Sequence, residues 1–197
     1  MNLGKIKGVL DIGPVQADNC HGTFSNKDII VLHETVSPDY AGWKDVISIS
    51  QYLDNKDYGI HGITDKEGHI AWAYGKGSCV FYHTASGLGL INSRGIGIEM
   101  ISNIMLIEKD NTNRWEWWWK RNAQIDATAK LIAWVSKVHK IPLVYTDGHQ
   151  PGITTHWQIT DTFDVVGGHV DCWPRHKGGY FPVLRIIERA RYFRSRV

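Results

Sequence analysis

The chain has 197 residues, 43% apolar and 21% charged, with a formal net charge of +2. That length supports one domain with a substantial core; the composition is too apolar for disorder and the charge too near neutral to point to nucleic acid. No run approaches the roughly 18 apolar residues of a membrane span, and Met1 to Asp18 shows no secretory signal pattern. Cytoplasmic synthesis and a monomer are therefore expected. The three cysteines are widely spaced and odd in number, which argues against a disulfide framework; Cys20 and Cys79 read as small buried groups.

In chain order, the first seventeen or so residues read as a surface arm, and residues 1–27 are set apart from a domain over 28–197. Ile29-Ile30-Val31-Leu32 is a β-branched run, expected as a central strand ending at His33. Trp43 to Asn55 shows helical spacing, with Val46, Ile49, Tyr52 and Leu53 able to share a face. Tyr58 to Ile63, the turn Asp65-Lys66-Glu67-Gly68 and His69 to Tyr74 read as a hairpin. Cys79 to Tyr82 and Gly95 to Ile101 read as strands. Trp115 to His139 reads as one long helix, ended by Ile141-Pro142. Thr146 to Gly168 reads as a glycine-rich loop region. Pro182 to Arg194 reads as a last helix whose basic side chains suit an anionic surface or simply a solvated face. The expected fold class is α/β: a single domain with a central mixed sheet flanked by helices.

Two features carry chemistry. Nine tryptophans include Trp115, Trp117, Trp118 and Trp119 in one cluster, and flat rings serve core packing or a glycan groove equally well. Ionisable residues also interrupt apolar or glycine-rich runs at His33-Glu34, Glu99, His156 and His169-Val170-Asp171. Burying such groups is costly unless they are paired or bind a metal. Two imidazoles, a carboxylate ligand and a spare carboxylate are the parts of a catalytic zinc site with an open position for water. Spacing alone does not select them, because no short ligand pair such as His-x-x-x-His is present.

Taken in order, the segments resemble the type 2 N-acetylmuramoyl-L-alanine amidase family, which includes phage amidases and peptidoglycan recognition proteins. Val31-Leu32-His33-Glu34-Thr35 is similar to its first zinc-histidine strand, and His61-Gly62-Ile63-Thr64 with Gly68-His69-Ile70 to its central hairpin. Tyr82-His83-Thr84-Ala85 resembles its Trp-His-Ala-Gly turn. Asn92 followed by Gly95-Ile96-Gly97-Ile98-Glu99 resembles its Ser-Ile-Gly-Ile-Glu strand. Pro151-Gly152-Ile153-Thr154-Thr155-His156 matches the second zinc histidine, and Gly168-His169-Val170-Asp171 the end motif. The resemblance covers roughly residues 28 to 190.

That resemblance implies a zinc site in a surface groove, with His33, His156 and Asp171 as ligands. Cys172 is the alternative third ligand, since members use Asp or Cys there. Asp171 is favoured because His169 then falls two positions before it, where the family places an oxyanion-stabilising side chain. Glu99 is implied as the proton carrier, the more so because Ile60 stands where some members have a tyrosine. His83, Asn92 and Trp72 are implied as substrate-binding residues. The implied reaction is zinc-dependent hydrolysis of the N-acetylmuramic acid to L-alanine amide in peptidoglycan, by a phage endolysin made in the host cytoplasm. Cobalt or manganese would suit the same donors. A non-catalytic peptidoglycan-binding module and a zinc peptidase cutting within the stem peptide are the alternatives.

Overall fold

The computed structural model describes residues 10–14, 19–35, 43–73, 78–84, 89–102, 114–165, 171–172 and 181–196. Six strands, β1 (Leu10–Pro14), β2 (Ile29–Glu34), β3 (Gly62–Thr64), β4 (His69–Trp72), β5 (Gly95–Met100) and β6 (Gly152–Thr155), form one sheet in the order β1-β4-β3-β5-β2-β6. Only β3 and β4 pair antiparallel; the other pairs are parallel. The helices are α1 (Trp43–Asn55), α2 (Gly89–Arg94), α3 (Arg114–Trp119), α4 (Asn122–His139), α5 (His156–Thr162) and α6 (Val183–Arg194). The mixed sheet flanked by helices is the expected architecture.

Strand β2 lies between β5 and β6 and is buried along its whole length, which is why its sequence is an unbroken apolar run. Alternate residues part to two layers. Ile30 and Leu32, with Ile96, Ile98 and Met100 of β5, enter a core built with α4, α6 and Trp118. Ile29 and Val31 pack on the opposite face with Ile91 and Ile159. By the same alternation His33 and Glu99 belong to this second face, side by side at the carboxyl ends of two parallel strands.

Several expectations need correction. The long helix is two helices, α3 and α4, parted at Lys120 and Arg121. Cys79 to Tyr82 is not a strand; Cys79 makes one isolated bridge to Thr23. Tyr52 does not join the buried face of α1 but is 61% exposed. The supposed loop from Thr146 contains β6 and α5. Its missed signal is Thr155-His156-Trp157-Gln158: the Thr155 side chain accepts from the Gln158 amide at 3.2 Å and caps α5. Leu10–Pro14, expected within a surface arm, pairs with β4 as an edge strand.

The cysteine reading also changes, because Cys20 and Cys79 form a disulfide. Their Cα atoms lie 5.4 Å apart although 59 positions separate them, a proximity that no local spacing reveals. The bond ties the 19–24 segment to the 78–84 segment, which also exchange backbone hydrogen bonds between His21, Gly22, Phe24 and Ser78, Val80. Closing so long a loop is expected to stabilise the fold by about 2–4 kcal/mol. Thermal melts with and without a dithiol reductant should differ accordingly; equal melting temperatures would show that the bond contributes nothing.

Candidate active site

Three side chains converge at the carboxyl end of the sheet. His33 follows the apolar run Ile29–Leu32 of β2, and His156 follows β6 directly as the first residue of α5. Their Nδ1 atoms lie 3.3 Å and 2.7 Å from the two oxygens of Asp171. One donor atom from each of the three falls within 4.8 Å of the others. Two backbone amides also hold Asp171: that of Glu34 donates to its carboxylate at 3.3 Å, and that of Trp157 to its carbonyl at 3.1 Å. Two neutral imidazoles and one carboxylate are a donor set that fits zinc, and their convergence meets the spacing such an ion requires. Burial raises the Asp171 pKa, but hydrogen bonds from His156 and His33 and their charge reverse this and hold it far below the carboxylate range.

Cys172 does not join the cluster. Its thiol donates to the Leu32 carbonyl at 3.2 Å and is packed in the α4–α6 core. With φ at +64°, Cys172 turns the chain so that Asp171 faces the histidines while its neighbour faces inward.

Glu99 pairs in register with His33 and is 8% exposed. Burial pushes its carboxyl well above the ordinary range, and the charges of Asp171 and Glu34 add to the effect. Glu34 points to the other face, where the Ser102 hydroxyl donates to it at 2.9 Å.

Above β5, two glycines make room for a third imidazole. A Cβ at Gly97 would lie 2.9 Å from His83 Cγ, and one at Gly95 would lie 3.0 Å from His83 Cε1. The ring rests on this bare stretch of strand and places its Nδ1 3.1 Å from His33 Nε2. Burial first, then the charges of His33, His61, Lys27 and His156, push the His83 pKa well down. Asn92 accepts from the amides of His83 and Thr84 and from the Thr84 hydroxyl, at 3.2, 3.0 and 2.8 Å. It is fully buried and shapes the His83 turn, which corrects its expected place on the substrate. Trp72 is likewise corrected: it is 3% exposed and packs edge-on against Trp134 in the core. His61, also buried, accepts from the Gly97 amide and bonds the Cys79 carbonyl. His169 lies outside the described residues.

One residue was missed in the sequence. Lys27 is 2% exposed, and its ammonium reaches the carbonyls of Cys79, Gly95 and Asn92 at 2.7, 3.0 and 3.5 Å. Burial lowers its pKa to about 8. It fastens the disulfide segment to the start of β5. No motif surrounds it, so nothing local marks it.

Residues 24–175 match the family model described as N-acetylmuramoyl-L-alanine amidase. The chain belongs to that family. No curated protein matches the amidase sequence. Its fold is shared by the hydrolase AmiA of Staphylococcus aureus, at 14% identity and a TM-score of 0.59, covering 96% of this chain and 84% of that one. The endolysin N-acetylmuramoyl-L-alanine amidase LysCS of Clostridium intestinale has 17% identity and a TM-score of 0.55, covering 94% and 97%. Ectodomains of the peptidoglycan recognition proteins LCa and LCx share it at 15% identity and a TM-score of 0.51, covering 75% and 84%. Among the described residues of the amidase, no helix is long and apolar enough to cross a membrane.

Proposed function

We propose that this amidase is a zinc-dependent endolysin that cleaves the amide between N-acetylmuramic acid and L-alanine in bacterial peptidoglycan. The observation that carries the reading is the convergence of His33, His156 and Asp171 beside Glu99, at the carboxyl edge of the sheet where α/β folds bind ligands. The similarity in fold to an endolysin amidase supports the biological role.

In this reading His33, His156 and Asp171 hold zinc, which would polarise the scissile carbonyl and acidify water. Glu99 accepts a proton from the attacking water and passes it to the leaving amine of L-alanine. Its apolar setting keeps its proton affinity high enough for both transfers. His169, protonated or donating, would stabilise the oxyanion together with zinc. His83 orients His33: for Nδ1 to face a cation, the His33 proton must sit on Nε2 and be donated to His83 Nδ1. His83→Phe keeps a ring and removes that acceptor, so zinc affinity is expected to fall about 10- to 100-fold in a chelator-competition titration. Unchanged affinity would remove His83 from this role. The Cys20–Cys79 disulfide suits a protein that works in an oxidising compartment.

The test is hydrolysis of purified peptidoglycan with and without chelator, with new ends identified by mass spectrometry. Chelator-sensitive appearance of L-alanine amino termini on intact glycan strands, restored by zinc, is expected. Cleavage within the stem peptide, or binding without cleavage, would sink the reading.

A further inference from the structure

The tryptophan cluster and the basic last helix are not used by the catalytic site, and the fold brings them together. Helix α6 lies along α4, anchored by Arg185 to Asn122, by Arg189 to Asp126 through two bonds of 2.7 Å, and by Arg194 to Ser136. Both helices therefore begin at the same end. That end is the carboxyl edge of the sheet, because Gln124 near the start of α4 donates to the carbonyls of Thr64 and Ile101, each at 2.9 Å. The pair covers the face opposite His33 and Glu99.

Along the outside of α6 runs a stripe in which guanidinium groups alternate with rings. The Arg185 guanidinium lies 4.5 Å from the Trp119 ring, which is 52% exposed. Arg189 lies 5.0 Å from Phe193 and 5.2 Å from Tyr192, and Arg196 lies 3.8 Å from Tyr192, itself 42% exposed. Positions 185, 189, 192 and 196 recur every three or four residues, the spacing of one helix face. The stripe is about 16 Å long, from the eleven steps between Arg185 and Arg196, the last two just past the helix end, at about 1.5 Å each.

Exposed rings present flat apolar faces, as sugar rings do; Arg189 is already paired with Asp126, so Arg185 and Arg196 are the arginines that can offer planar donors to carboxylates. A long, narrow, cationic and aromatic surface is complementary to an anionic polysaccharide and a poor match for a globular partner. We propose that the stripe from Trp119 of α3 along α6 to Tyr192 is a second binding site for the glycan strand of peptidoglycan and its carboxylate-bearing stems. It holds the polymer on the side of the sheet away from the catalytic cluster. This inference rests on the reading of peptidoglycan as substrate, since that names the polymer. It implies that only substrates long enough to reach both faces feel the stripe. A soluble muramyl peptide occupies the cluster alone.

The experiment is co-sedimentation of the full chain, carrying Glu99→Gln so that it cannot cut, with insoluble sacculi stripped of teichoic acid. Adding Trp119→Ala with Tyr192→Ala should weaken retention about tenfold, the size of a lost ring contact or two. Arg185→Gln with Arg196→Gln should do the same and flatten its dependence on salt. In the otherwise native enzyme, the same pairs of changes should leave cleavage of a soluble muramyl tripeptide unaltered. Retention equal to the parent's, or retention that needs teichoic acid on the wall, would overturn the proposal. Failure of the native chain to cut the soluble peptide would instead overturn the amidase reading, because sedimentation is read without catalysis.

Discussion

Glu99→Gln is expected to lower wall hydrolysis by about 10²- to 10⁴-fold, the range of a lost general base, while leaving zinc content unchanged. Glutamine fills the same space at the end of β5 and retains a polar head, but it cannot carry a proton. The native enzyme should also show a rate that rises with pH as Glu99 ionises. In the metal-free protein, burial and then the charges of Asp171 and Glu34 hold this carboxyl above the ordinary range. Stability should move the other way. In the metal-free protein the folded state keeps the Glu99 proton at pH values where the unfolded chain has released it. Slope follows the difference in bound protons, so this group subtracts stability as pH rises from its ordinary value toward its folded one. Glu99→Gln removes that penalty. The metal-free variant should melt higher than its parent at neutral pH and together with it near pH 4, where both states are protonated. A variant that is inactive but less stable at pH 7 would mean that Glu99 serves as a structural anchor.

The parts of this site that the sequence makes legible are those written locally. His33 ends an apolar strand run and Glu99 interrupts one, and a buried polar group there must find a partner or a ligand. The glycines of Gly95-Ile96-Gly97 also have a local cause, but their purpose needs the third dimension: they clear a shelf for His83, which comes well before them in the chain. Residues whose meaning lies in long-range contact are illegible. Asn92 sits in a segment that resembles a family motif and Trp72 just beyond one, and neither placement can tell a side chain facing the groove from one supporting it. Lys27 has no neighbours in sequence that announce its three carbonyl partners. The Cys20–Cys79 bond is hidden by the count of three, because Cys172, which lies outside the disulfide, makes the total odd. Helix α5 was legible in principle, since Thr155 and Gln158 form a capping signal, but the surrounding glycines and turn residues outweighed it.

The third ligand is where sequence leaves two residues side by side and geometry separates them. Asp171→Ala is expected to abolish both zinc retention and activity, with a loss of at least about 10³-fold in rate, because no other described carboxylate or thiol joins the two histidines. Cys172→Ser should keep one zinc per chain and nearly full activity. Its thiol already spends its proton on the Leu32 carbonyl, a bond that serine can replace, so the change should cost about 1 kcal/mol of stability. The pH dependence gives an independent check. Asp171 has a depressed pKa when folded, so in the metal-free protein it adds stability above its ordinary value and loses it as pH falls through the acid range. Metal-free Asp171→Ala should therefore be less stable than its parent at neutral pH and approach it in acid, whereas Cys172→Ser should differ by the same amount throughout. Reversal of the zinc result, with metal lost from Cys172→Ser and kept in Asp171→Ala, would require the 171–172 turn to rotate so that the thiol faces His33 and His156. The positive φ of Cys172 and the bond from the Glu34 amide to the Asp171 carboxylate are the contacts that such a rotation would have to break.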